Sequence, residues 1–202
     1  MSARSDDTPA PAQRRRRADA QRNVDALLAA AKTAFAASGV DAPAREIADL
    51  AGVGVGTLYR HFPTRTDLVV AVLEREIDAC ADAAAALAAE LSPAEALGAW
   101  LDRYTEFLKT KDGLATALQK GEPAFEGLAE HFWQRLGPAL KSLLDAAGKS
   151  GEIRTDVDAR ELLSAVGSLC LPVPGASAGY SRRMVGLLVD GLRQRAREDS
   201  NL

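Results

Sequence analysis

The side chains best suited to meeting a polyanion are gathered in one stretch, residues 53–65, reading Val-Gly-Val-Gly-Thr-Leu-Tyr-Arg-His-Phe-Pro-Thr-Arg. It offers the hydroxyls of Thr57 and Tyr59, the imidazole of His61 and the guanidinium groups of Arg60 and Arg65, and it contains no acidic residue. These are the donors that reach phosphate oxygens, and side chains at the amino-terminal end of a helix lying in the major groove face base edges. The expected partner is therefore double-stranded DNA. Gly54 and Gly56 support this, because each glycine costs a helix about 1 kcal/mol against alanine, a poor choice unless the backbone must approach another molecule closely. Short helices joined by glycine turns also occur in plain bundles, so the donor set carries the expectation more than the turn does.

Charge is distributed to match. Residues 1–65 hold 10 Lys and Arg against 7 Asp and Glu, a net of +3, whereas residues 66–202 hold 15 against 21, a net of -6. A basic amino-terminal piece on an acidic body places the anion partner at the first part only.

The elements that must hold this stretch are helices. Residues 1–17, rich in Ser, Asp, Pro, Ala and Arg, cannot bury a face and read as a disordered basic arm, in which Arg14, Arg15, Arg16 and Arg17 are either a solvated cluster or a minor-groove and phosphate contact. From Asp19 to Ser38, Val24, Leu27, Leu28, Ala31 and Phe35 repeat at helical spacing, and Gly39 stops the pattern. Pro43 opens a second, short helix carrying Ile47, Leu50 and Ala51, and Gly52 closes it. A third runs to about His61, which gives a helix-turn-helix over residues 18–64.

Thr64 and Asp67 then supply a capping-box-like start for a fourth helix, expected over 65–90 because its alanine-dense second half favours continuous helix. The remainder, 65–202, reads as a helical ligand-binding and dimerisation domain with this fourth helix as connector. Ser92, Pro93 and Glu95 start a helix that Gly113 ends, and a shorter one follows to about Lys120. Pro123 opens a long helix reaching Gly148, which Gly137-Pro138 must kink or split. Asp158 and Glu161 cap another, and a last helix spans about 179–197, with Met184, Leu187, Leu188 and Leu192 as its apolar stripe. No stretch alternates with period two, so the fold is all-α with about nine helices.

The segments Arg45-Glu46-Ile47-Ala48, Ala51-Gly52-Val53, Gly56-Thr57-Leu58-Tyr59-Arg60-His61-Phe62 and Arg65-Thr66-Asp67-Leu68 closely resemble the DNA-binding domain of the tetracycline-repressor (TetR) family of bacterial transcription regulators. The resemblance covers about residues 19–68. It implies a homodimeric regulator that binds a palindromic operator, is released from it by a small-molecule effector, and acts more often as repressor than activator. Position by position it implies that Gly56 and Thr57 form the tip of the recognition helix, that Tyr59 and His61 contact phosphate, and that Arg60 contacts a base or phosphate. Arg45 is implied to contact the backbone or a nearby base, and Arg65 stands where a lysine is common at the start of the fourth helix. Val55, at a base-facing position, offers only an apolar contact such as with a thymine methyl. Ala44 stands where many members carry a phosphate-contacting threonine, so that contact is expected to be missing. Leu58 and Phe62 are expected to face inward.

In the second half the resemblance is one of architecture. It implies an effector pocket between helices and dimerisation through the last two helices, about 159–171 and 179–197, with Gly167, Gly186 and Gly191 permitting close approach. Trp100, Tyr104, Phe107, Phe125, Phe132 and Trp133 are candidate pocket residues for a hydrophobic or amphipathic effector, with core packing as the plainer reading of each. His131 and Gln134 could orient a ligand but read as solvent-facing. Cys80 and Cys170 lie far apart in apolar stretches and read as small core residues in a reducing cytoplasm. No cofactor or metal is expected: neither His61 nor His131 has a glutamate three residues before it, and no phosphate loop or nucleophile elbow is present. The longest uncharged stretch, 162–181, is broken by Pro172 and Pro174 and makes a poor membrane span. A helical enzyme or a protein-binding adaptor would account for the second half but not for the donor-rich third helix.

Overall fold

The computed structural model describes residues 11–112 and 125–199. Among these, eight helices and no strands are present: α1 (Pro11–Ser38), α2 (Ala44–Leu50), α3 (Val55–His61), α4 (Arg65–Glu90), α5 (Pro93–Asp112), α6 (Glu126–Lys149), α7 (Ala159–Leu169) and α8 (Tyr180–Asp199). The short helix expected up to Lys120 lies outside the described residues, as does the arm before residue 11. α1 begins at Pro11, eight residues before the sequence pattern does, so the backbone of 11–17 is helical and not the disordered chain expected there. Arginine and alanine are strong helix formers, and a helix already fixed by its buried face extends cheaply into such residues.

The chain divides into two compact units, 1–72 and 73–202. In the first, α1 packs on α2 and α2 on α3, around Leu27, Ala31, Phe35, Ile47, Ala48, Leu58, Leu68 and Val69, all buried. Thr64 and Asp67 form the reciprocal cap expected of them. The Asp67 carboxylate accepts from the Thr64 amide at 2.9 Å and its hydroxyl at 2.7 Å, and the Asp67 amide donates to the Thr64 Oγ1 at 3.1 Å.

In the second unit α5 is central, packing against α6, α7 and α8. Trp100 and Tyr104 are fully enclosed there, with the Trp100 indole donating to the Cys80 carbonyl at 2.8 Å. Ser92 caps α5, its hydroxyl donating to the Glu95 carboxylate at 2.7 Å, and this hydrogen bond holds the Glu95 carboxyl below its ordinary range. Asp158 caps α7 by accepting from the amides of Arg160 and Glu161. α6 continues through Pro138 without splitting. Both Pro138 and Gln134, whose carbonyl loses its helical donor, are exposed, so water can take the orphaned acceptor. Burial raises the Cys80 thiol to about 12, as a small core residue requires.

Replacing Thr64 with Ala removes the hydroxyl arm of the α4 cap and is expected to cost about 1 kcal/mol. The check is a lower thermal midpoint, followed by circular dichroism, with the helical content at 20 °C unchanged.

Candidate nucleic-acid interface and effector cavity

α3 has only seven residues, and its orientation is fixed from its two ends and from beneath. At the entry, α2 finishes in a hydrogen-bonded reversal: the Gly52 amide donates to the Asp49 carbonyl at 3.1 Å and the Val53 amide to the Ala48 carbonyl at 3.0 Å. This pair of bonds needs a left-handed residue at the turn, and Gly52 supplies it with φ +68°. From beneath, Leu58 is 3% exposed and Phe62, just past the helix, is buried with it, as expected.

With Leu58 and Phe62 inside, the rest of the helix must face out. Tyr59 is 53% exposed, Arg60 and Gly56 are exposed, and Val55, Thr57 and His61 are half-buried. Arg45 on α2 is exposed as well. A Cβ placed on Gly54 or Gly56 would meet nothing within 4 Å, and neither has a positive φ, so nothing inside the protein requires glycine there. Ala44 starts α2 without any side-chain cap on its amides. Arg65 is exposed, and its guanidinium donates to the Val40 carbonyl in the turn after α1, tying the start of α4 to that turn. Sequence spacing gave no sign of this bond across 25 residues.

In the second unit a cavity of about 420 Å³ is lined by Leu73 and Ile77 of α4, Phe107 of α5, Phe125, and Leu128, Ala129, Phe132 and Trp133 of α6. Four of the six aromatic candidates, Phe107, Phe125, Phe132 and Trp133, line it. Trp100 and Tyr104 do not; they stack behind it, with ring centroids 5.8 Å apart, and Tyr104 lies 6.1 Å from Phe132. Burial raises the Tyr104 phenol above its ordinary value. The contiguous aromatic set thus serves as core at one end and cavity wall at the other. His131 is not simply solvent-facing: its Nε2 lies 3.1 Å from the Asp78 carboxylate, which also accepts from Arg135 at 2.6 Å, while Arg135 reaches Asp82 at 2.7 Å. Gln134 is exposed and donates to Glu130. Two further features escaped the sequence reading. Leu73 and Ile77 give the cavity an aliphatic wall from α4, and Arg160 places its guanidinium carbon 4.5 Å from the centroid of the Trp133 ring.

The last helix also differs from expectation. Its buried side chains are Val185, Val189 and Leu192, whereas Leu187 is 64% exposed and Met184 and Leu188 are half-buried. α8 therefore carries two apolar faces, and the stripe read from sequence is largely the outer one. Gly186 and Gly191 open onto space, but Gly167 faces the Tyr104 hydroxyl within the same chain.

A short helix presenting hydroxyl, imidazole and guanidinium groups from a helix-turn-helix, followed by an all-helical unit, defines a DNA-binding transcription regulator. Residues 27–72 match the family described as bacterial regulatory proteins, tetR family, and residues 92–194 match the transcriptional regulator SbtR-like C-terminal domain. The fold is similar to that of the TetR transcriptional regulator SCO0520 from Streptomyces coelicolor, 36% identical with a TM-score of 0.71, the match covering 84% of this chain and 98% of that one. The HTH-type transcriptional repressor KstR of Mycolicibacterium smegmatis is 32% identical over 149 residues, 72% of this chain and 69% of that protein. The HTH-type transcriptional regulator SAR0097 of Staphylococcus aureus is 38% identical over 69 residues, and there the match spans only 36% of the relative's length. The chain belongs to the TetR family of transcriptional regulators.

The two glycines of the reader should respond oppositely to alanine. Gly52→Ala forces a left-handed alanine and should lower stability by about 1–2 kcal/mol. Gly56→Ala, in an open helical position, should raise it by up to about 1 kcal/mol. Comparing the two thermal midpoints with the wild type checks both.

Proposed function

We propose that the protein is a homodimeric repressor that holds a palindromic operator through α3 and leaves it when a small hydrophobic or amphipathic effector enters the α4–α5–α6 cavity. The observation that carries the DNA reading is the outward set on α3, Thr57, Tyr59, Arg60 and His61, held over the buried Leu58. Thr57 and the bare backbone at Gly56 meet the groove first, with Val55 beside them for an apolar base contact. Tyr59 and His61 bind phosphate, Arg60 and Arg45 reach a base or the backbone, and Arg65 combines its bond to Val40 with a phosphate contact through its remaining N–H groups. Two such helices in a dimer would enter successive major grooves about 34–36 Å apart.

Dimerisation is assigned to α7 and α8. Support comes from the outer face of α8, where Leu187, half-buried Met184 and Leu188, and the open Gly186 and Gly191 form an apolar strip that the described residues leave uncovered. The cavity volume falls in the range of about 300–1,000 Å³ usual for small-molecule sites. An effector acts only by its different affinity for the DNA-bound and free states. The reading assigns the cavity to sensing and not to catalysis, and places the protein in the cytoplasm with its DNA. Among the described residues no helix is long and apolar enough to cross a membrane.

Tyr59→Ala and His61→Ala should each weaken binding across sequences and reduce the salt slope by about 1. Fluorescence anisotropy on the gene's own upstream DNA over a salt series checks this, and unchanged affinity in both variants would sink the docking. Leu187→Glu should turn a dimer into a monomer at micromolar concentration in light scattering with its helical content retained; a dimer surviving this change would remove α8 from the interface.

A further inference from the structure

The cavity's polar chemistry is one-sided. Of the described residues lining it, seven are Leu, Ile, Phe or Ala, and the polar side-chain group among them is the indole N–H of Trp133. Trp100, by contrast, spends its indole N–H on the Cys80 carbonyl, whereas the Trp133 N–H has no hydrogen-bond partner among the described residues. An indole N–H only donates. The group that meets it must therefore bring an acceptor.

The charge beside it points the same way. His131 and Arg135 on α6 are engaged with carboxylates, His131 with Asp78 and Arg135 with Asp78 and Asp82. Arg160, reaching from the first turn of α7, lies over the Trp133 ring and makes no ion pair among the described residues. A guanidinium stacked on an aromatic face keeps its N–H edges directed away from the ring, in the fork that fits a carboxylate. Arg160 is exposed and stands outside the cavity lining, on the ring of Trp133 that the cavity touches, so the indole N–H and the guanidinium are two donors beside one wall of the cavity.

We propose that the effector is an apolar carboxylate, with its hydrocarbon against Leu73, Leu128 and Phe132 and its carboxylate received by the Trp133 N–H and the Arg160 guanidinium. This rests on the cavity being the effector site. A neutral hydrocarbon of the same size would fill the space but engage neither donor. A hydrophobic cation would face Arg160 directly.

The test is isothermal titration calorimetry of the full-length protein at pH 7.5 with decanoate and decan-1-ol, which share a chain and differ in the head group. Wild type should bind decanoate about tenfold more tightly than decan-1-ol, as expected for a charge-assisted pair against a neutral one. Arg160→Met, which keeps the stem over the ring, should weaken decanoate far more than decan-1-ol and so erase that preference. Trp133→Phe, which keeps the ring and removes the N–H, should weaken decanoate more than decan-1-ol. Equal affinity for the two in the wild type, a preference surviving in Arg160→Met, or no binding of either overturns the carboxylate assignment. The cavity reading fails separately, if the neutral fluorophore N-phenyl-1-naphthylamine does not enter the protein either.

Discussion

A helix of seven residues closes too few i to i−4 hydrogen bonds to persist in water, and α3 begins with a glycine cap and carries a second glycine in its first turn. Its existence depends on burial, chiefly of Leu58, with Phe62 closing the same side. The burial of Leu58 does more than stabilise. Successive residues of a helix are about 100° apart, so fixing Leu58 inward fixes Tyr59 and Arg60 outward, and the reading face becomes a geometric consequence of the core. The left-handed Gly52 and the reciprocal Thr64–Asp67 cap then set where that helix starts and where the chain goes next.

The second unit solves a different problem, since it must pack a core and keep some apolar surface unspent. It does so along one run of rings. Trp100 and Tyr104 are enclosed, Phe107 and Phe132 mark the change from core to cavity, and Trp133 meets Phe132 edge-on at 5.0 Å and carries Arg160 on its face. α8 divides in a comparable way. Val185, Val189 and Leu192 are covered by the chain itself, and Leu187 is exposed. Both features are apolar surface that the described residues of the single chain do not cover.

Much of the architecture was legible because its signals are local. The cap at Thr64 and Asp67, the alanine-rich run, and the serine, proline and glutamate at 92–95 each fix a helix boundary through groups within four residues of one another, and α4 and α5 start where those groups say. Gly39, Gly52 and Gly151 each end a helix with positive φ for the same local reason. α1 begins ahead of its apolar pattern because residues 11–17 lack an apolar stripe, and periodicity detects burial, not helix itself.

The sequence by itself determined the helical class, the helix-turn-helix, the identity of the outward donors on α3 and the inward pair Leu58 and Phe62, because residue type and helical spacing suffice for these. Tertiary structure alone decided which aromatics are wall and which are core, since Tyr104 and Phe107 are three residues apart on one helix and differ only in what the neighbouring helices place over them. It decided likewise that Arg65 bonds to Val40, that Arg135 bridges Asp78 and Asp82, and that Arg160 lies on Trp133. Each of these joins residues 25 or more positions apart, and such pairings are set by how helices pack, which no spacing along the chain encodes.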